Sequence, residues 1–510
     1  MRSSIPVIIA GAGPTGLTLS KLLSQLGINN LLLESAPALT KHPQAHFINN
    51  RTMEIFRQMR GTGGNIAAEV VKLSPPLREW RKFIYCESMT GNILGEVDHF
   101  KGQDGPRMHH LSPEPVAHLS QHRLLPILLR SATAEAMLYF VFNAEVISVL
   151  VAHDLTTGEF VAQVPFFPPT QSLADFPEKV CKRLLLAAIG VQDLDVHILT
   201  VRNWTMHAEV AERFKVGNVF LAGDAAHRFP PAGGFGMNTG VQDSHNLAWK
   251  LAAVTQKKAG ASLLESYEAE RRAIALANTE LSVSNWKEAL KVPQALGLDP
   301  AAANVLQSIV TSRPASMLSS GLVKSALEAG LSLGRSISGV RGPLRPWRER
   351  LLRDIFAAGD TLRLQFPRED LGFIYNAPGA AIDTSSGASF EDHQPGKQPA
   401  DRVSRRSALG VQQLRQQQRN RPYEPSTLPG AQSGRQRANK VTVALDISQQ
   451  WQHLREVTEA GAILVRPDGH VAWRAACLLT QFSQETGSES SGESRAYVVL
   501  KAALRNIMHF

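Results

Sequence analysis

Hydrophobic residues at the start of the chain form strand-like runs and a helical repeat, with glycines between them. Residues 5–10 (IPVIIA) form an apolar, β-branched run, which predicts a strand buried on both faces of a parallel sheet. Leucines then recur at near-helical spacing from Leu17 to Leu26, and Gly27 is suited to end that helix. Residues 30–34 (NLLLE) predict a second strand. This order of strand, glycine turn, helix and strand is typical of an α/β unit.

Similar patterns recur further along the chain. Residues 218–224 (NVFLAGD) predict another buried strand that ends in an acid, and residues 146–160 predict a hairpin. The segment 242–254 predicts a helix with apolar side chains facing inward and Lys250 facing outward. Residues 260–277 predict a further helix with acidic and basic side chains on its exposed side.

The length of 510 residues corresponds to roughly three domains, and the composition is that of a globular protein. The net charge of +9 raises the question of an acidic partner such as nucleic acid. Residues 393–440 alone hold ten basic and two acidic residues, so they carry +8 of that charge. They belong to a polar stretch, 384–440, that predicts a disordered linker. We therefore expect no nucleic-acid partner, with a nucleic-acid-binding tail as the alternative.

Three cysteines, Cys86, Cys181 and Cys477, are scattered along the chain without a CxxC pair. That usage suits a reducing compartment and argues against a structural zinc site. The histidine pair His109 and His110 lacks acidic or thiol partners at ligand spacing, so we expect no metal site. No apolar run approaches the roughly 18 residues of a membrane span, and no signal peptide is recognised. These features predict a cytoplasmic protein.

The glycines of residues 11–16 (GAGPTG) have separate physical roles in a strand–turn–helix unit. Gly11 permits the tight turn, Gly13 lets the backbone approach a pyrophosphate, and Gly16 lets the helix pack closely on the strand. The helix N-terminus then faces the phosphates. Glu34, at the end of the second strand, is placed to accept hydrogen bonds from an adenosine ribose. The unit predicts a dinucleotide site, for either FAD or NAD.

A second motif, residues 223–238, favours one of these two cofactors. Asp224 at a strand end can accept a hydrogen bond from a polyol hydroxyl, and the glycine-rich backbone of residues 233–238 can approach the edge of a flat ring. The N-terminus of the following helix adds positive potential, which favours negative charge on a reduced flavin. The pattern therefore favours FAD over a nicotinamide.

Together, residues 11–16 and 223–252 (GDAAHRFPPAGGFGMNTGVQDSHNLAWKLA) resemble the FAD-dependent aromatic-ring hydroxylases, in particular the phenol hydroxylase and p-hydroxybenzoate hydroxylase group. Residues 41–57, 117–124 and 164–171 are similar to the plant-type members of that family. The resemblance places Gly11, Gly13, Gly16 and Glu34 at the ADP half of FAD.

The resemblance also implies roles for eight further residues around the cofactor. These are Arg51 beside the pyrophosphate, Gln121 near the flavin, Asp224 on the ribityl chain, Pro231 between ring and substrate, and Gly234, Gly236, Met237 and Asn238 along the isoalloxazine. It assigns no catalytic base.

The same resemblance implies a reaction. NADPH would reduce the flavin, O2 would be captured as a flavin hydroperoxide, and one oxygen atom would pass to a phenolic or related aromatic ring with release of water. The implied partners are a small aromatic substrate and O2, and the protein would position the substrate and exclude water. Small apolar residues at 293–342 favour core or inter-subunit packing over contact with a membrane surface, so a homodimer is an open alternative.

The implied fold is α/β (α+β), with a Rossmann-like FAD-binding domain over residues 1–275. A shortened substrate domain with a truncated antiparallel sheet would interrupt it at about 75–200. A helical segment at 276–345 and an incomplete, thioredoxin-like C-terminal region at 346–510 would follow.

The chain departs from the family pattern in the sheet over the flavin. The Asp-Gly motif expected there is missing, because the only Asp-Gly pairs lie at residues 104–105 and 468–469, in other contexts. Loss of central strands would expose sheet edges and apolar faces and predicts poor solubility. It also leaves an alternative function open, namely an FAD-binding but catalytically impaired or non-enzymatic relative, such as a splice product.

Overall fold

A computed structural model provides the fold for most of the N-terminal 300 residues and for shorter parts of the remainder. The described residues are 5–36, 45–61, 64–88, 91–100, 112–121, 124, 138–143, 145–154, 159–166, 171–191, 194–296, 345–364, 366, 370, 373, 375, 462–468, 470–475 and 495–508. The predicted linker at 384–440, most of the segment 276–345 and the histidine pair at 109–110 lie outside them.

The first unit has the predicted order of strand, helix and strand. Strand Val7–Ala10 pairs in parallel with strand Asn30–Leu33, and helix Pro14–Gln25 connects them. Gly27, with a φ of +77°, follows the helix in the left-handed conformation that often ends helices. Leu19, Leu22 and Leu23 of the helix lie in the same buried core as Ile9, whereas Leu26, the last leucine of the predicted repeat, is 41% exposed.

The expectation that the first strand is buried on both faces is wrong. Ile8 is 64% exposed and Leu33 is 48% exposed, whereas Ile9 is buried. The reason is that the described residues give this sheet only two strands and a helix on one side, so its other face has no covering layer. Parallel sheets usually bury both faces.

A five-stranded sheet occupies the region expected to hold the substrate domain. Its strands, in spatial order, are Glu159–Gln163, Ile147–Asp154, Leu138–Phe142, Lys82–Cys86 and Ile93–Asp98. The first two confirm the predicted hairpin. The sheet is mixed rather than antiparallel, because Lys82–Cys86 runs parallel to Leu138–Phe142. Helix Glu178–Ile189 packs on one part of it, and helix Arg345–Ala358 contacts strand Ile93–Asp98.

Short elements surround these two units. The helices are Asn50–Gln58, Ile66–Leu73 and Leu77–Trp80, with 3-10 turns at Leu173–Asp175, Gly223–Ala225 and Ala261–Glu265. The paired two-residue strands are Phe47–Ile48 with Ala117–His118, Arg60–Gly61 with Gly64–Asn65, Glu209–Val210 with His227–Arg228, and Lys215–Val216 with Val219–Phe220.

The second motif differs from its prediction in three ways. The strand expected at 218–224 is reduced to Val219–Phe220, and Val219 is 67% exposed because its one partner among the described strands is the equally short Lys215–Val216. The helix begins at Phe235 and ends at Thr255, so it includes residues expected to form a loop. Lys250 is buried, not exposed, because a carboxylate on the next helix neutralises it.

Three further helices and a hairpin complete the described fold. Helix Ser266–Ala289 is followed by Lys291–Ala295, and the C-terminal part contributes strands Ala462–Val465 and Val471–Ala475 and helix Arg495–Met508. Contrary to expectation, Glu270 and Arg271 on the first of these helices are buried. None of the helices described is long and apolar enough to cross a membrane.

Candidate functional site

The glycine turn at residues 11–16 has the close packing that its sequence requires. Gly11 adopts a φ of +105°, which favours glycine, and its N–H donates to the carbonyl of Leu33 at 2.7 Å. A Cβ atom on Gly16 would overlap the carbonyl oxygen of Gly11. Gly13 instead faces open space at the start of the helix, and no described side chain caps that helix end. The turn thus leaves backbone N–H groups available to a phosphate.

Glu34 lies beside this turn. Its carboxylate accepts hydrogen bonds from the backbone N–H groups of Ala36, at 2.9 Å, and Ala12, at 2.7 Å. These bonds lower the pKa of the exposed Glu34 side chain, so it stays ionised. A carboxylate has about four lone-pair sites, which leaves acceptors for ribose hydroxyls.

The second motif meets the first at Thr15. Gly223 adopts a φ of +59°, and a Cβ atom there would lie 2.6 Å from the Thr15 hydroxyl oxygen. Gly240 also packs on Thr15, and the Ser244 hydroxyl donates to the Thr15 carbonyl at 2.8 Å. Asp224, the residue after Gly223, is exposed. Two motifs about 200 residues apart in sequence therefore form one site.

The loop before helix Phe235–Thr255 is fixed by Asn238. Its amide donates to the carbonyls of Phe47 and Gly234 at 2.9 and 2.7 Å, and its oxygen accepts the Asn49 N–H at 3.1 Å. Gly234 has a φ of +67° and forms the N-cap of the helix without a side-chain cap from the described residues. This start of a 21-residue helix is a second open N-terminus.

The remaining expected residues differ in exposure. Pro231 is exposed and Gly236 faces open space, whereas Met237 is buried in the main core. Gln121 is half-buried, and its backbone N–H donates to the Ala45 carbonyl at 2.6 Å, which ties it to the segment that Asn238 also holds. Arg51 is buried and pairs with Glu54 at 2.9 Å.

These features fit FAD. Two uncapped helix N-termini and two open glycines can receive the pyrophosphate and the flavin ring. The exposed carboxylates Glu34 and Asp224 can accept hydrogen bonds from the ribose and ribityl hydroxyls.

Comparison with known proteins agrees with this assignment. A family model described as "FAD binding domain" matches residues 4–162 and 152–282, and one described as "Aromatic-ring hydroxylase, C-terminal" matches residues 422–487.

The chain belongs to the FAD-dependent aromatic-ring hydroxylases. The chain is 25% identical to a putative polyketide hydroxylase of Streptomyces halstedii, over 92% of this chain and 93% of that protein. It is also 25% identical to phenol 2-monooxygenase of Pseudomonas sp. strain EST1001, over 92% and 89% of the two chains. In fold it resembles the flavin-dependent monooxygenase PieE, whose structure contains FAD and substrate, with a TM-score of 0.64, 21% identity and coverage of 100% and 99%.

Behind the flavin motifs, the structure contains a buried ionic network that the sequence interpretation missed. Glu270 accepts from Lys250 at 2.8 Å and from both terminal nitrogens of Arg466 at 2.7 and 2.8 Å. Arg466 also pairs with Asp468 at 2.6 Å. Burial alone would raise the pKa of Glu270, but Lys250 and Arg466 lower it to about 2. In the sequence, the network is visible only as the adjacent charges Glu270 and Arg271 on a predicted helix, a pattern that is equally typical of a solvent-exposed helix face.

The network continues to the second flavin motif. Arg271 donates to Asp243 at 2.7 Å, and Asp243 also accepts from the His227 ring at 2.8 Å and from the Gly223 N–H at 3.0 Å. Tyr375 contacts Arg271 through its hydroxyl at 3.3 Å. The C-terminal hairpin and the flavin loop therefore share one set of buried charges.

Three histidines are enclosed to different degrees, since His245 is buried whereas His46 and His99 are half-buried. Burial lowers the pKa of His46, His99 and His245 to about 4. His46 and His118 pack ring against ring at 4.6 Å, beside Trp80. Among the residues that the structure describes, no group of three or more His, Cys, Asp or Glu side chains could hold a metal ion. Cys86 is buried and Cys181 is partly exposed.

Proposed function

We propose that this chain is an FAD- and NADPH-dependent monooxygenase that hydroxylates a phenolic or related aromatic compound. The observation that carries the proposal is the meeting of the glycine turn, the Asp224 segment and the first half of helix Phe235–Thr255 at Thr15. Family membership supports it, and the relatives named above are hydroxylases and monooxygenases. Those names favour turnover over a non-enzymatic flavoprotein.

In this proposal, the protein binds and orients the cofactor. Gly11, Gly13 and Gly16 let the backbone and helix N-terminus receive the pyrophosphate, while Glu34 accepts from the ribose and Asp224 from the ribityl chain. The loop formed by Gly234, Gly236, Met237 and Asn238 borders the ring, and Arg51 and Gln121 complete the set expected from the family. The bound flavin would supply the electron transfer to O2 that the resemblance implies.

Aromatic side chains next to this loop support an aromatic substrate. The rings of Phe235 and Phe366 lie 5.0 Å apart, and both cover Gly233. Phe47 packs against Gly234. Pro231, which is exposed at the same loop, would separate the ring from the substrate. These walls would exclude water and hold a flat apolar ring by stacking.

We also propose that the substrate domain is shortened near residue 160. The family model matches in two segments that overlap at 152–162, which supports a deletion at that place. The exposed faces of Ile8 and Val219 support it too, because a missing strand or layer would leave them uncovered. Sequencing the transcript across the codons for residues 150–170 tests this point directly.

The first test is whether the purified full chain carries FAD. We expect yellow protein with about one flavin per chain, and Asp224→Ala should weaken FAD binding by roughly tenfold, the value of one or two polar contacts. Asp195→Ala is a matched control, because Asp195 is an exposed carboxylate in another segment. Colourless protein that cannot be reconstituted with FAD would contradict the proposal.

The second test measures turnover. NADPH oxidation should rise when a panel of phenols is added, and each oxidised NADPH should be matched by hydroxylated product. Flavin binding with phenol-independent NADPH oxidation that yields only hydrogen peroxide would instead favour the catalytically impaired alternative. Replacing NADPH by NADH determines the preferred electron donor.

A further inference from the structure

Asp243 lies behind the flavin motif and contacts both ends of the segment that carries Asp224. One oxygen of its carboxylate accepts the Gly223 N–H at 3.0 Å and the His227 ring nitrogen at 2.8 Å. The other accepts from Arg271 at 2.7 Å. Asp224 is the residue after Gly223 and lies within the bonded segment.

Asp243 is ionised where it lies. Its side chain is fully buried, which by itself would raise its pKa, but Arg271 and His227 lower the pKa to about 2. Hydrogen bonds to a charged acceptor in such surroundings are about twice as strong as neutral ones. The Gly223 backbone and the His227 ring are therefore held by a charged acceptor, and the ring also stacks on Phe229 at 4.6 Å.

Arg271 alone could neutralise Asp243, so the two additional bonds need another explanation. Both go to the 223–227 segment, and that segment is pressed against the glycine turn through Thr15. Gly223 has a φ of +59°, a conformation in which its N–H points toward Asp243 while the chain continues into the exposed Asp224. The carboxylate thus fixes the backbone on either side of the expected ribityl ligand.

We propose that Asp243 is a positioning residue of the flavin site. Held by Arg271, its carboxylate orients Gly223 and His227 and thereby sets the direction in which Asp224 faces the ribityl chain. This inference rests on the proposed function, because it assumes that FAD binds at Asp224.

The test compares two buried carboxylates in the full-length chain. Asp243→Asn should raise the dissociation constant of FAD by about 10- to 100-fold, the range expected for losing charge-assisted bonds. Glu270→Gln breaks a buried ion pair of the same kind that does not contact the 223–227 segment, and it should change FAD affinity by less than about threefold. The FAD affinity is measured by quenching of flavin fluorescence, and the stability of each apoprotein by urea unfolding.

A double-mutant cycle separates positioning from general stability. If Asp243 acts through Asp224, the effects of Asp243→Asn and Asp224→Ala on FAD affinity will be less than additive, and visible circular dichroism of the bound flavin will change in Asp243→Asn but not in Glu270→Gln. Additive effects, or equal loss of FAD affinity in Asp243→Asn and Glu270→Gln, would overturn the inference.

A milder variant covers the case in which Asp243→Asn does not fold. His227→Gln removes the ring and leaves Asp243 paired with Arg271, so we expect a several-fold loss of FAD affinity with an unchanged apoprotein fold. Unchanged affinity and flavin dichroism in that variant would contradict the inference. If the wild-type chain binds no FAD, the proposed function fails first, so the two failures are distinguishable.

Discussion

Gly16 has a packing role that affects the residues expected to bind the cofactor beside it. Its missing side chain lets helix Pro14–Gln25 contact the backbone of the turn, which places Gly13 and the helix N-terminus at the surface of the site. A Cβ atom on Gly13, by contrast, would meet nothing within 4 Å. Gly16 is therefore required by the packing of the fold, whereas Gly13, three residues earlier, is free of that constraint and is the residue expected at the pyrophosphate.

We expect Gly16→Ala to lower the free energy of unfolding by about 1–3 kcal/mol, because its methyl group would overlap a backbone oxygen that cannot move independently. Gly13→Ala should change that free energy by less than about 1 kcal/mol, since its φ is ordinary and its space is open. It should nevertheless weaken FAD binding if the pyrophosphate approaches there. Urea unfolding measures the stability of both variants, and flavin titration measures their FAD affinity. An equal loss of stability in both variants would contradict the prediction.

Helix Phe235–Thr255 illustrates, at the scale of one element, why helical patterning can mislead. Most of its residues are buried, including Asp243 and Lys250, so it has no solvated side. A helix that is covered on all sides can hold charged residues only if each buried charge has a partner. Here the partners come from helix Ser266–Ala289 and from the C-terminal hairpin. No local pattern reports such distant partners.

The strand Val7–Ala10 contrasts with this helix, because it exposes apolar side chains, whereas the helix buries charged ones. We expect Ile8→Thr to raise the soluble fraction and reduce light scattering, with a change in unfolding free energy below about 0.5 kcal/mol. Ile9→Thr, the matched change one residue on, removes a buried side chain and should cost about 1–3 kcal/mol. Strong destabilisation by Ile8→Thr would show that its face is covered in solution.

At the scale of the whole molecule, one buried ionic network joins parts of the chain that are far apart in sequence. Arg466 on the C-terminal hairpin binds Glu270 on the helix behind the flavin motif, and Trp249 donates to Asp468 at 3.1 Å. Such charges are costly to bury alone, so each segment depends on the other for its partner. The histidines His46, His99 and His245 should in addition make the stability of the fold depend on pH.

We expect the stability of the protein to fall as the pH drops from 6.5 to about 4. His46, His99 and His245 have pKa values of about 4 in the fold, below the ordinary value of 6.5, so the unfolded chain binds more protons in this interval. Each histidine can contribute a slope of up to about 1.4 kcal/mol per pH unit. The free energy of unfolding, measured with urea at pH 7, 6 and 5, gives the combined effect of the three histidines.

A single-histidine variant tests the assignment. His99→Gln removes one titrating group that packs against Phe83, so the dependence on pH should become shallower by up to one proton. A stability that does not change between pH 7 and 5, or a variant with the same slope as the wild type, would contradict the prediction.

The nucleotide-binding unit could be predicted from the sequence alone. Strand, turn, helix and strand follow within 34 residues, and the glycine positions in residues 11–16 are set by local sterics, so short-range pattern was sufficient. The same holds for the hairpin within residues 147–163 and for family membership, which depends on two contiguous motifs.

Other features were decided only by tertiary structure. Burial of Lys250, Glu270 and Arg271, and the contact of Asp243 with the flavin segment, depend on partners between 16 and about 200 residues away. A charge looks the same in sequence whether water or a distant counter-charge solvates it, because only the folded chain fixes its surroundings. Sequence thus predicted the cofactor site, whereas only the packing behind it showed which residues are bonded to that segment.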